Sequence, residues 1–255
     1  MDIKPYKKDA DHSYTLGAFP TFELLEARPG DVEEIIVHSS FTDREKLESK
    51  AASLCDKSRS DHASTHPAAP IRIVENDKLI SKLSDKENVY VIGVFRKYTC
   101  ELAEDLRHIV LVNPGNMGNL GTIIRTACGF GYYDLAVIEP AADIFNPKTV
   151  RASMGSLFRI RYRLFGSFDE YMKLYPGRKL YPFMLDGSTP LQNAEAPITG
   201  RFSLIFGNEA SGLPAEFASY GQPLRIEQTE FVDSLNLTIA AGIGMYEFAR
   251  SCPLS

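Results

Sequence analysis

HIVLVNPGNMGNLGTIIRTACGFG, residues 108–131, is the stretch on which the fold turns. An apolar run of strand length enters a turn rich in Asn and Gly, and a helical pattern follows it. Leu120, Ile123, Ile124 and Ala127 recur at i, i+3, i+4 and i+7, so they share a core-facing stripe and Arg125 points away from it. The same alternation continues downstream. DLAVIEP, IRYRLF, KLYPFML, FSLIFGN and PLRIEQ read as strands, TVRASMGSLF and FDEYMKLY as helices, and residues 234–250 as a last helix. This pattern predicts an α/β layer with a mainly parallel sheet, whose sites lie beyond the carboxyl ends of the strands. The last helix carries Leu235, Leu237, Ile239, Ala240, Ala241, Ile243, Met245, Tyr246 and Phe248 almost all round, so it is either buried or an interface.

Upstream, short apolar runs over residues 22–27 and 34–38, a charged helix-like segment over 42–53, IRIV, DKLISKLS and a buried strand over 89–95 read as small α/β units. Residues 55–70 lack any apolar period and read as a loop. A boundary in the charged segment 101–107 divides the chain into a domain over 1–107 and another over 108–255. With 255 residues, 44% hydrophobic and 24% charged, there is enough apolar side chain for two cores. No run approaches the roughly 18 apolar residues of a bilayer span, and the first residues lack the apolar core of a secretory signal; the expectation is a cytoplasmic protein with no membrane partner. Cys55, Cys100, Cys128 and Cys252 are scattered without a C-x-x-C pair, which predicts reduced thiols rather than disulfides or zinc. His62 and His66 are four apart but sit in the Pro-bounded loop, so no metal is expected.

Three strand-exit loops could carry chemistry. In the first, glycines at a helix start beside the outward Arg125 offer a place to hold a phosphate or carboxylate; the plainer reading is a turn with a solvated arginine. It is not G-x-G-x-x-G, so a nicotinamide site lacks its fingerprint. In the second, LIFGNEASGL over residues 204–213, Gly207 lets a ligand approach the main chain, and Glu209 either caps the following turn or accepts hydrogen bonds from a ligand. In the third, DSLNLTIAAGIGMYE over residues 233–247, Ser234 and Asn236 open the last helix. Capping accounts for one of them but not for both.

Taken in order, these motifs resemble those of the SpoU/TrmH family of RNA 2'-O-ribose methyltransferases, within the SPOUT superfamily. Asn119, Gly121, Arg125, Thr126 and Ala127 are similar to its N-x-G-x-x-x-R-T-A pattern. Gly207, Glu209, Gly212 and Leu213 resemble G-x-E-x-x-G-L, and Ser234, Leu235, Asn236, Thr238 and Ala240 resemble S-L-N-x-(S/T)-x-A. Lys148, Arg151, Ala152, Ser153 and Gly155 resemble its K-x-x-R-A-S-x-G stretch. The resemblance covers residue 108 onward. It implies a trefoil-knotted α/β catalytic domain with a mainly parallel sheet, preceded by a small α/β RNA substrate-binding domain, acting as a homodimer on transfer or ribosomal RNA with S-adenosylmethionine as cofactor. It also implies cofactor contacts from Gly207, Ile226 and Leu235, with Leu185 and Gly187 adding to the wall. The family's I-P-M after that isoleucine is replaced here by Glu227 and Gln228, so the pocket and its charge differ at this point.

For methyl transfer the resemblance points to Asn119, Arg125, Glu209, Ser234 and Asn236 as the catalytic set, with Arg125 acting across the dimer. A guanidinium, with its pKa above ~12, is a poor base; it suits a phosphate clamp that stabilises developing oxyanion charge. The net charge of −5 argues against long-range coating of nucleic acid, but residues 148–180 hold eight basic against two acidic residues. Strand alternation would place Arg159, Arg161 and Arg163 on one side, which with Lys148 and Arg151 gives a candidate RNA surface; an ordinary solvated face is the alternative. Two other functions fit less well: a catalytically silent SPOUT-fold module that binds RNA and cofactor, and a small-molecule-binding α/β protein with no RNA role.

Overall fold

A computed structural model describes residues 3–60, 70–84, 88–195 and 200–251. The first part of the chain runs β1 (His12–Tyr14), α1 (Ala18–Ala27), β2 (Val32–Val37), α2 (Arg44–Ser60), β3 (Arg72–Glu75), α3 (Asp77–Leu83) and β4 (Val91–Arg96). Its sheet has the order β1-β4-β2-β3, with β2 antiparallel to β4 and parallel to β3. The consecutive Ile35, Ile36 and Val37 are all fully buried because both faces are covered. Ile35 and Val37 pack with Leu25 and Leu47 from α1 and α2, whereas Ile36 packs with Ile80 of α3. The loop expected over 55–70 is corrected in part, since α2 continues to Ser60; the remainder of it, with His62 and His66, lies outside the described residues.

The second part runs β5 (His108–Val112), α4 (Met117–Gly129), β6 (Asp134–Ile138), α5 (Pro147–Ala152), β7 (Arg161–Phe165), α6 (Phe168–Leu174), β8 (Lys179–Pro182), β9 (Thr189–Pro190), β10 (Phe202–Phe206), β11 (Leu224–Arg225) and α7 (Leu237–Ser251). Five of these strands form an all-parallel sheet in the order β7-β6-β5-β10-β8. The chain moves outward from β5 through β6 to β7, then returns to lay β8 at the far edge and β10 between β8 and β5. Strand order therefore reverses next to β5, and the loops that leave β5 and β10 open on the same side there. The expected PLRIEQ strand shrinks to β11, which pairs with β9 and, through Leu224, bridges Phe183 just past β8. Among the described residues no helix is long and apolar enough to cross a membrane.

Contacts group the chain into two compact units, residues 1–98 with 143–158, and residues 99–142 with 159–255. The grouping differs from a division at residue 107: segment 99–107 belongs with the parallel sheet, and α5 belongs with the first unit. The reason for the first difference is in the hydrogen bonds. Cys100 N–H donates to Tyr162 O at 3.0 Å, Leu102 N–H to the Tyr175 hydroxyl at 3.0 Å, and Ala103 N–H to Asp134 Oδ1 at 2.8 Å. The buried Arg178 guanidinium donates to Glu104 O at 2.6 Å and also to Leu106 O. Within the first unit, α5 packs on β1, and the Ser13 hydroxyl donates to Phe145 O. The helix expected over 149–158 is shorter and earlier than its pattern, because Met154 and Gly155 take left-handed φ of 49° and 80° and end it. A 3-10 turn, Ser156–Arg159, follows.

Candidate active site

The loop after β5 and the loop after β10 are fastened to each other by Glu209. Its carboxylate accepts the Gly115 N–H at 2.9 Å, the Asn116 N–H at 3.1 Å and the Asn119 side-chain amide at 3.2 Å. Partial burial raises the pKa of this carboxyl, but the donated hydrogen bonds outweigh it and hold the group below its ordinary value. Asn116 caps α4, its Oδ1 accepting the N–H groups of Gly118 at 2.8 Å and Asn119 at 3.0 Å. The turn into α4, expected to offer free donors to a ligand anion, has therefore committed the N–H groups of Gly115 and Asn116 to a carboxylate from far downstream and those of Gly118 and Asn119 to the Asn116 side chain. Asn208 completes the fastening. Its Nδ2 donates to Asn113 O at 2.7 Å while its Oδ1 accepts from Ala210 and Ser211.

Beyond the end of β10 the chain turns back on itself with almost no space. A Cβ on Gly207 would lie 2.1 Å from the carbonyl carbon of Gly212, so only glycine permits this turn. Beside it is a cavity of about 370 Å³. Its apolar part comes from Phe183 and Phe206, whose rings stack at 4.5 Å, together with Leu213, Leu224, Ile226 and Leu237. Its polar part comes from Asp186, Glu209, Ser211, Gln228 and Ser234.

The expected cofactor residues Leu185, Gly207, Ile226 and Leu235 all line this cavity, as do Glu209 and Ser234 from the expected catalytic set. Gly187 does not. It packs on the main chain of Leu224, where a Cβ would come within 2.5 Å of the carbonyl carbon, and its own carbonyl accepts from Arg225 Nη1 at 2.9 Å. Asn236 stands outside the wall as well. It caps α7, accepting the Thr238 N–H at 2.9 Å and the Thr238 hydroxyl at 2.6 Å. The last helix consequently begins at Leu237 rather than at residue 234, and Ser234 stands free of it on the cavity rim. Asn119 reaches the wall through its bond to Glu209. Arg125 is exposed on the outer face of α4 and has no partner among the described residues.

The replacement of the family's Pro-Met by Glu227-Gln228 leaves the cavity's charge unchanged. Glu227 turns to Gln192, whose Nε2 donates to it at 2.5 Å, and to Arg225 at 3.8 Å; only the neutral Gln228 joins the wall. Asp186, Met184 and Asn208 are wall residues that the sequence reading missed. Asn208 had a usable signal, since an Asn between a strand end and small residues favours a side-chain-to-backbone turn. The others had none.

The expected arginine stripe does not form. Arg159 lies in the 3-10 turn before β7 rather than on the strand. Arg161 forms a two-pronged salt bridge to the fully buried Asp134 carboxylate, at 2.7 and 2.6 Å, and Arg163 is bonded to Glu101. Two of the three cations therefore neutralise acids of their own unit. Lys148 and Arg151 remain exposed on α5, with no partner among the described residues. Along α7, Leu237, Ala241, Met245 and Phe248 are buried, whereas Ile239, Ile243 and Tyr246 are exposed at i, i+4 and i+7.

Residues 107–246 match the SpoU rRNA Methylase family. A curated relative, the 23S rRNA (guanosine(2553)-2'-O)-methyltransferase RlmP of Bacillus subtilis, is 33% identical over 164 residues, 58% of this chain and 61% of that protein. The 23S rRNA (uridine(2479)-2'-O)-methyltransferase of Streptomyces viridochromogenes is 31% identical over 153 residues, 58% of this chain and 53% of that protein. The chain thus spans between half and two thirds of the length of these relatives. Among solved structures, the AdoMet-bound rRNA methyltransferase from Sinorhizobium meliloti aligns with a TM-score of 0.77 at 26% identity, covering 96% of this chain and 89% of the other.

Proposed function

The chain belongs to the SpoU rRNA methylase family, and from that premise we propose that it transfers a methyl group from S-adenosylmethionine to a ribose 2'-hydroxyl of RNA. The observation that carries the proposal is the fastening of the β5 and β10 loops by Glu209 at the edge of a cavity that Ser234 and Leu235 also line, which brings the Asn119, Glu209 and Ser234 motifs together. The residues present fit the cofactor. A cavity of about 370 Å³ is of small-molecule size, its apolar part suits an adenine ring, and among the described residues no basic side chain lines it to repel a sulfonium. The activities named for the two relatives, and the AdoMet-bound structure from Sinorhizobium meliloti, support the same reaction and cofactor.

When bound, S-adenosylmethionine supplies an electrophilic methyl group on sulfur. The protein's task is then chiefly alignment, because the acceptor oxygen must attack in line and its proton must be lost. Leu185, Gly207, Ile226 and Leu235 would hold the cofactor, and Ser234 on the rim would orient the acceptor or the cofactor. Glu209 acts through the main chain of residues 115–116 and through Asn119, so it is a positioning residue, and Asn236 positions α7 in the same sense. Arg125 would clamp the RNA phosphate through its guanidinium and offset charge that develops on oxygen.

On this reading two copies pair, and the Arg125 of one serves the cavity of the other. The exposed row Ile239, Ile243 and Tyr246 supports such pairing, because it lies on the helix that packs against α4, where Arg125 stands. The trefoil knot belongs to the same reading, supported by the late insertion of β10 between β5 and β8. So do the first unit, residues 1–98 with 143–158, as the RNA-holding part, Lys148, Arg151 and Arg159 as the exposed RNA contacts, and the cytoplasm as the place of work. Arg125→Ala tests the core of it: cofactor affinity by calorimetry should stay within about twofold while tritiated-methyl transfer to RNA is abolished. Full transfer in the variant would refute the role.

A further inference from the structure

Among the described residues the cavity wall holds two ionisable side chains, Asp186 and Glu209, and no cationic one. Glu209 is committed: its oxygens accept from Gly115, Asn116 and Asn119. Asp186 has no hydrogen-bond or ion-pair partner among the described residues. It follows Leu185 directly after β8, and its loop is held from both sides. Gly187 N–H donates to Met184 O at 3.2 Å, and Met184 N–H to Leu224 O at 2.8 Å. The main chain that carries Asp186 is thus held at the mouth, while its carboxylate is not spent on the fold.

We propose that Asp186 makes this cavity select a cationic adenosyl donor over its neutral demethylated product. The inference rests on the cofactor reading above and adds to it which side chain discriminates between the two forms. The donor and the product share the adenosine and the amino-acid ends; they differ by one methyl group and by the positive charge on sulfur. Groups that contact the shared ends bind both forms alike. A carboxylate without a partner acts on the difference, and it favours the charged form by simple Coulomb attraction. Because Asp186 is exposed, its field is screened by water and by salt, so the discrimination it supplies is about threefold to tenfold at low ionic strength and shrinks as salt is added. A preference of this size favours product release, since the charge that helped to hold the donor is gone once the methyl group has left.

The experiment is calorimetric titration of the full chain with S-adenosylmethionine and with S-adenosylhomocysteine, for the wild type and for Asp186→Asn, at about 50 mM and 500 mM salt. In the wild type the ratio of the two dissociation constants should move toward the product as salt rises. In Asp186→Asn the low-salt ratio should shift by about threefold to tenfold toward the product, with the product's own affinity nearly unchanged and little salt dependence left in the ratio. Equal weakening of both ligands would make Asp186 a hydrogen-bond acceptor for a shared end and overturn the proposal, as would a ratio that responds to neither salt nor substitution. The salt response of the wild type stands whether or not the variant folds. Failure of the wild type to bind either ligand would instead strike the cofactor reading itself.

Discussion

Replacing Glu209 with Gln tests how the site is held together. The carboxylate accepts four hydrogen bonds at 2.9 to 3.4 Å, two from the main chain of residues 115 and 116 and two from the side-chain amides of Asn119 and Asn208. Gln keeps the shape but gives up the charge, and its amide nitrogen would oppose an N–H donor. A hydrogen bond to a charged acceptor contributes about 1.5–3 kcal/mol when buried. At this half-exposed rim water replaces part of that, so the whole loss is roughly 2 kcal/mol. For a chain of 255 residues this lowers Tm by about 4–8 °C. The loss should be local as well, with faster amide exchange at Gly115 and Asn116. The pH dependence has a fixed sign. Hydrogen bonds hold the folded-state pKa of Glu209 below its unfolded value near 4.5, so its contribution is fully present above that value and disappears as pH falls through the lowered pKa. The stability difference between the wild type and Glu209→Gln should therefore be constant near neutrality and close in acid. An unchanged Tm together with unchanged exchange at residues 115 and 116 would refute the reasoning.

Arg161→Met should cost about 3–5 kcal/mol in urea unfolding, because it strands the fully buried Asp134 carboxylate, and Asp134→Leu in the same chain should recover much of it; normal stability with weakened RNA retention would instead return Arg161 to the RNA surface. His108 is buried, and burial, with the Arg178 guanidinium second, lowers its pKa from 6.5 to about 4. The unfolded chain therefore takes up the proton first, and stability should decline by up to about 3 kcal/mol as pH falls from about 6.5 to about 4; titrating unfolding of the wild type against His108→Asn, whose slope should be flatter, checks this. Ile243→Asp, on the exposed row of α7, should convert a dimer to a monomer in sedimentation velocity. A wild-type chain that is already monomeric would remove the pairing.

The parallel sheet was legible because its central strands β6, β5 and β10 are buried on both faces and separate cleanly from amphipathic helices. Leu120, Ile123, Ile124 and Ala127 are all buried, as the spacing on α4 requires. The cavity was legible in part: the glycine exits and the start of the last helix marked where backbones approach. Partnership was hidden. Glu209 meets Gly115 across 94 residues, and Asp134 meets Arg161 across 27, so neither a committed carboxylate nor a neutralised arginine shows in local spacing. That is why the arginine stripe failed while the loops held. Asp186 was invisible for the opposite reason, since what singles it out is a partner it lacks.

The most direct test of the account supplies S-adenosylmethionine with a trideuterated methyl group to the purified chain and cellular RNA, then digests the RNA to nucleosides for mass spectrometry. The account predicts one labelled nucleoside whose added mass lies on the ribose, absent with Arg125→Ala. Label on a base, or none at all from a chain that binds the cofactor, would contradict it.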